Sequence, residues 1–154
     1  MNCSNGEFDL NSKLENHEPV FREIQLRGFT PLTSSSNKTI KRKENLKDLI
    51  EKKIGKDLKK IQKRCLKRHL LAKVVFYVIE SDEKGRSKPD LDNLLKPLFD
   101  VLSVNMVNGQ ESHAGVGLME NDSQIYEIRC KKIPVDTESE EGIDLQISIF
   151  TKTI

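Results

Sequence analysis

The run Ala72-Lys73-Val74-Val75-Phe76-Tyr77-Val78-Ile79-Glu80 narrows the fold more than any other segment. It is rich in β-branched residues and almost wholly apolar, so it predicts a strand with no polar face. Such a strand has to be covered on both sides by the rest of the chain. With 154 residues, the chain is long enough to do this as one domain, without disulfide or metal staples.

Cover for one side lies just upstream. From about Lys43 to Leu71, the residues Leu46, Leu49, Ile50, Ile54, Leu58, Ile61, Cys65, Leu66 and Leu70 recur at threes and fours. That spacing predicts one long amphipathic helix. Gly55 lies inside it, costs about 1 kcal/mol against Ala, and marks a bend or a break into two helices. A shorter helix carries Leu91, Leu94, Leu95, Leu98, Phe99 and Leu102. Pro97 lacks the N–H that would bond the Asn93 carbonyl, so this helix is expected to kink or to start later than its pattern.

Further strands are expected over 20–29, Ser123 to Ile133 and Ile143 to Phe150, the last with one polar-leaning face. Thr30 to Asn37 and Ser81 to Pro89 read as loops, Ser103 to Ala114 as a loop without a clear period, and Asp136 to Gly142 as an acidic turn. Residues 1–19 read as a polar tail and 20–154 as the folded domain. Together these elements predict an α/β chain of the α+β kind, a small mixed sheet of about four strands packed with two main helices.

The net charge of +2 hides an asymmetry. Between Lys38 and Lys73 stand fifteen basic residues against four acids, a net of +11. Asp136, Glu138, Glu140, Glu141 and Asp144 form a separate acidic run. A basic face of this size fits a polyanionic partner, although a solvated helix face has the same composition. The basic helix offers Lys52, Lys53, Lys56, Lys59, Lys60, Lys63, Arg64, Lys67 and Arg68. Lys84, Arg86 and Lys88 flank a group of carboxylates farther on. Aromatic residues are few, which argues against a single-strand stacking platform.

That group is Asp90-Leu91-Asp92-Asn93-Leu94-Leu95-Lys96, answered later by Asn121-Asp122-Ser123-Gln124. Carboxylates hold Mg²⁺ through hard oxygen ligands, and the ion activates water and neutralises phosphate charge. Pro89 presets an extended approach to Asp90. An extended Asp90-Leu91-Asp92 points both carboxylates to one side, whereas on a helix they diverge by about 200°. A shared metal therefore predicts an extended segment with Asp92 near the N-cap, and Lys96 four residues on along the same face. The plain alternatives are an aspartate cap, a turn aspartate at Asp122 and a solvated lysine.

These blocks resemble the RusA-type Holliday junction resolvases. The resemblance rests on Lys88-Pro89-Asp90-Leu91-Asp92-Asn93-Leu94-Leu95-Lys96, Phe99-Asp100-Val101-Leu102 and Asn121-Asp122-Ser123-Gln124-Ile125, closed by Lys132-Ile133-Pro134-Val135, Gly142 and the Asp144 to Ile149 strand. It implies a small Mg²⁺-dependent DNA endonuclease, with Mn²⁺ as a substitute ion. It also implies a homodimer that nicks two strands of a four-way junction symmetrically, in recombination and repair. The family's acidic ligands carry over to Asp90, Asp92 and Asp122, and its active-site lysine to Lys96. Asp100 falls on a further recurrent aspartate. Relatives often have two adjacent aspartates where this chain has Asn121-Asp122, and the stretch from Ser103 to Ala114 is longer than in compact members.

Two other readings compete: a non-catalytic protein that binds DNA junctions, and a metal nuclease acting on other DNA or RNA structures. His17, His69 and His113 share no ligand spacing. Cys3, Cys65 and Cys130 form no CxxC pair and fit reduced thiols in a cytoplasmic protein. No apolar run reaches the roughly 20 residues of a membrane span, and the N-terminus lacks the pattern of a secretory signal.

Overall fold

The computed structural model describes residues 16–33, 39–80, 88–108 and 111–151. The apolar run around Val75 is strand β3, Leu70–Ile79, inside a five-stranded sheet. β3 lies between β6, Ile125–Val135, which it pairs in parallel, and β7, Gly142–Phe150, which it pairs antiparallel. The other side of β7 is shared end to end by β1, His17–Pro19, and β2, Ile24–Arg27, both antiparallel. The sheet therefore begins at His17, within the segment expected to be a tail, and Pro19 stands at its outer edge, where a missing N–H costs no ladder bond.

Helices cover one face. α1, Thr39–Ile54, and α2, Leu58–Cys65, are separated by a 3-10 turn over Gly55–Asp57. Gly55 is left-handed (φ +73°), so the expected interruption is a break. The helical segment also ends at Cys65, earlier than its pattern implied. Leu46, Ile50, Ile61 and Cys65 are buried, but Leu49 and Leu66 are 40% and 60% exposed and leave the apolar stripe. α3, Leu91–Leu102, starts at the first residue of its pattern and continues through the buried Pro97. It buries Leu94, Leu95, Leu98, Val101 and Leu102.

These side chains meet Val74, Phe76, Ile143, Leu145 and Ile147 of the sheet in one core. β7 is buried nearly end to end, including Asp144 and Ser148. The polar-leaning face expected of it is thus covered. On the face opposite the helices, Arg27 and Asp144 form a 2.8 Å ion pair, and the Tyr77 hydroxyl donates to Asp144 at 2.6 Å. That hydrogen bond holds the Tyr77 proton and raises its pKa.

Residues 103–114, expected to be an aperiodic loop, contain a hairpin of β4, Asn105–Asn108, and β5, Glu111–Ala114. Met106 anchors it in the core. The fold is thus of the mixed α+β kind, with one strand more in the main sheet than expected. No helix among the described residues is long and apolar enough to cross a membrane.

Candidate active site

Asp90 and Asp92 sit where the chain, after β3, turns back along the sheet as α3. Asp90, not Asp92, is the N-cap: its backbone is extended (φ −85°, ψ 167°) and its Oδ1 accepts from the Asn93 N–H at 2.9 Å. Asp92 lies in the first turn, where the positive end of the helix dipole favours carboxylates. Asp90, Asp92 and Lys96 are all exposed, and Lys96 is one helical turn beyond Asp92. The expected extended Asp90-Leu91-Asp92 segment is therefore half extended, half helical.

Lys132, part of the closing pattern but assigned no role by the sequence, fixes this corner. Its Nζ donates to the Pro89 carbonyl at 2.8 Å and pairs with Glu80 at 3.0 Å. Asp100 is turned to a different task. It accepts from the Lys43 Nζ at 3.0 Å, and Lys43 itself is buried. This pair ties α3 to α1.

Asp122 is exposed and opens a 3-10 turn over Asp122–Gln124, directly before β6. Asn121 caps this turn by accepting from the Ser123 N–H at 2.9 Å. Gln124 anchors it, donating to the carbonyls of Cys65 (3.1 Å) and Arg68 (3.0 Å). Burial raises the neighbouring Cys65 thiol to about 11, so it stays a neutral packing group.

The two parts lie at opposite ends of the sheet. β3 and β6 run parallel from Leu70↔Ile125 to Ile79↔Val135. Asp122 precedes the start of this ladder, while Pro89 is bonded to Lys132 near its finish. α3 spans the distance, about 18 Å for a helix of its length. Its last turn reaches the Asp122 end, where Leu118 N–H donates to Leu102 O and Val104 N–H to Met119 O. Accordingly, no group of three or more His, Cys, Asp or Glu able to hold a metal ion occurs among the described residues. The chain offers Asp90 with Asp92 at one end and Asp122 at the other.

The basic residues divide in the same way. Lys88 and Lys96 are exposed at the Asp90 end, and Lys63, Lys67 and Arg68 are exposed on the segment that Gln124 ties to the Asp122 turn. Lys52, Lys53, Lys56, Lys59 and Lys60 are exposed along the α1–α2 segment. Arg64 pairs with Glu18 at 2.7 Å, and Arg68 donates to Phe150 O at 3.0 Å, so both also serve the fold. Lys84 and Arg86 lie outside the described residues.

A mixed sheet backed by helices, with exposed aspartates and a lysine at a helix start amid basic surface, describes a phosphodiester-cleaving nuclease of α+β architecture. The family model Endodeoxyribonuclease RusA matches residues 22–148, and the chain belongs to this family. The family consists of crossover-junction endodeoxyribonucleases, which depend in general on a divalent metal. No curated protein matches the chain significantly.

Proposed function

We propose that this protein is a Mg²⁺-dependent, structure-selective DNA endonuclease that resolves four-way junctions by paired symmetric nicking, in recombination and repair. The observation that carries this reading is the exposed Asp90–Asp92 pair at the start of α3, with Lys96 one turn on, inside the span that matches the family.

The separation of Asp122 from that pair gives the homodimer a chemical purpose. A twofold axis that sets Asp122 of the partner subunit beside Asp90 and Asp92 completes a set of three carboxylates, and symmetry does so twice. Two sites match the two strands of a symmetric cut.

Asp90, Asp92 and Asp122 of the partner subunit would hold the ion, a hard oxygen donor set that suits Mg²⁺ and accepts Mn²⁺. Bound there, the ion supplies Lewis-acid chemistry at the scissile phosphate. The Asn93 N–H fixes one Asp90 oxygen and leaves the other for the ion. Lys132 holds the Pro89 carbonyl and so the angle at which Asp90 leaves the loop. Lys96 donates to a phosphate oxygen and stabilises charge developing on it.

Lys52, Lys53, Lys56, Lys59, Lys60, Lys63, Lys67, Arg68 and Lys88 supply phosphate contacts, with Arg64, Lys84 and Arg86 as further members of the basic set. Such contacts give affinity and salt dependence rather than sequence choice.

The test is cleavage of a synthetic four-way junction with mapped nicks, wild type beside Asp92→Asn. Asp92→Asn is expected to lose cleavage by about a hundredfold or more while retaining junction binding. Equal cleavage by the variant would remove Asp92 from the site. Wild-type binding without cleavage in Mg²⁺ or Mn²⁺ would instead identify a non-catalytic junction binder, and preference for flaps or RNA a different nuclease.

A further inference from the structure

Four residues after Asp122 stands an aromatic residue placed unlike any other among the described residues. The protein has no Trp and two Tyr. Among the described residues, Tyr126 is the aromatic member of the exposed large apolar side chains, at 57% exposure. Its ring stacks on His69, with centroids 3.9 Å apart and planes at 28°.

A break in strand register puts it there. β3 and β6 pair Leu70↔Ile125 and then Leu71↔Glu127, so Tyr126 is the extra residue of a bulge. Ile125 and Ile128 both pack against the core, although three positions apart they would face opposite ways on a regular strand. The bulge absorbs the odd step and turns Tyr126 outward. Bulges in parallel pairs are rare, and bulges in general re-aim side chains next to active sites.

The surroundings are equally fixed. Gln124 ties the Asp122 turn to Cys65 and Arg68, and so to the segment that carries His69. Leu66, 60% exposed, and the exposed Lys67 belong to the same turn. Lys67 is held left-handed (φ 55°), which an L residue adopts at a cost. Tyr126, Leu66 and Lys67 are thus exposed on the two segments that Gln124 ties together next to the Asp122 turn.

We propose that Tyr126, backed by His69, is a stacking residue for a nucleobase that has left the helix at the branch point of a junction. Stacking of this kind is tolerant of base identity and needs one ring at one place, unlike the run of aromatics of a single-strand platform. Continuous stacking is interrupted at a branch point, so a base there leaves the helix at lower cost than one inside a continuous duplex. Tyr126 therefore contributes selectivity for DNA structure. This inference rests on the endonuclease reading above.

The experiment measures junction binding in EDTA, with 2-aminopurine placed in turn at each branch-point position. Wild-type protein is expected to raise the emission of one such base. Tyr126→Leu is expected to lose that rise and to bind the junction about tenfold more weakly, the loss of one stack, with duplex binding and mass by light scattering unchanged. Tyr126→Phe, which keeps the ring, is expected to retain both signals. Unchanged emission and affinity in Tyr126→Leu would overturn the proposal. So would a loss that accompanies a fall in mass, because Tyr126 would then be a subunit contact. Wild-type protein with no preference for junction over duplex would overturn the endonuclease reading as well, and the wild-type arm alone reveals that failure.

Discussion

Asp90 carries two tasks that substitution separates. Its carboxylate caps α3 through the Asn93 N–H, and it is a proposed metal ligand. Asp90→Ser keeps a cap oxygen, whereas Asp90→Ala removes it. Asp90→Ala is therefore expected to lower stability by about 1 kcal/mol and Asp90→Ser by less, as urea unfolding would measure. Both are expected to lose cleavage. If Asp90→Ser cleaves like wild type, Asp90 is a cap alone. Asp100 offers the opposite case. Its bond to Lys43 makes it a tie between helices, so Asp100→Asn is expected to cost about 1 kcal/mol, a modest figure because Asp100 is 38% exposed. Junction cleavage should stay near wild type. A hundredfold loss with normal stability would place Asp100 in the site.

At the level of elements, Gly55 provides a test with an unambiguous sign. Read as an interior helix glycine, its replacement by Ala would stabilise the protein. Gly55 has φ +73° at the end of α1, so Gly55→Ala is instead expected to destabilise by about 1 kcal/mol in urea unfolding. A gain in stability would mean that α1 and α2 run on as one helix. The break itself was legible because glycine interrupts a long periodic pattern. The β4–β5 hairpin was not. Its strands are four residues each, too short for alternation to register, and among its described side chains Met106 is the one buried in the core. Asn108-Gly109 lies inside that stretch, but without flanking alternation it does not mark a hairpin. β1 was hidden for a different reason. Three residues have no period, and only pairing with β7 makes them a strand. β7 showed alternation but is buried nearly end to end; Arg27 and Tyr77, from other strands, meet Asp144 on its polar-leaning face, and such contacts are not written in its own sequence.

For the whole molecule, the sequence named the candidate residues more readily than their arrangement. Asp90, Asp92, Lys96 and Asp122 stand out by residue type, spacing and resemblance. Their division between two ends of the sheet follows from the parallel pairing of β3 and β6 and the return of α3, and neither is written in local periodicity. Under the proposed function, this division would make the dimer a condition of catalysis. Complementation between two variants, each altered at one end, tests this most directly. Asp92→Asn and Asp122→Asn are prepared separately, then unfolded and refolded together in equal amounts. Each heterodimer would contain one site with both substitutions and one with neither. Half of the dimers would then carry one intact site of two, about one quarter of the wild-type complement. Neither variant alone is expected to cleave a four-way junction, and the mixture is expected to regain about a quarter of wild-type nicking. A mixture as inactive as its parents would contradict a site shared between subunits, because sites built within one chain leave every heterodimer with two damaged sites.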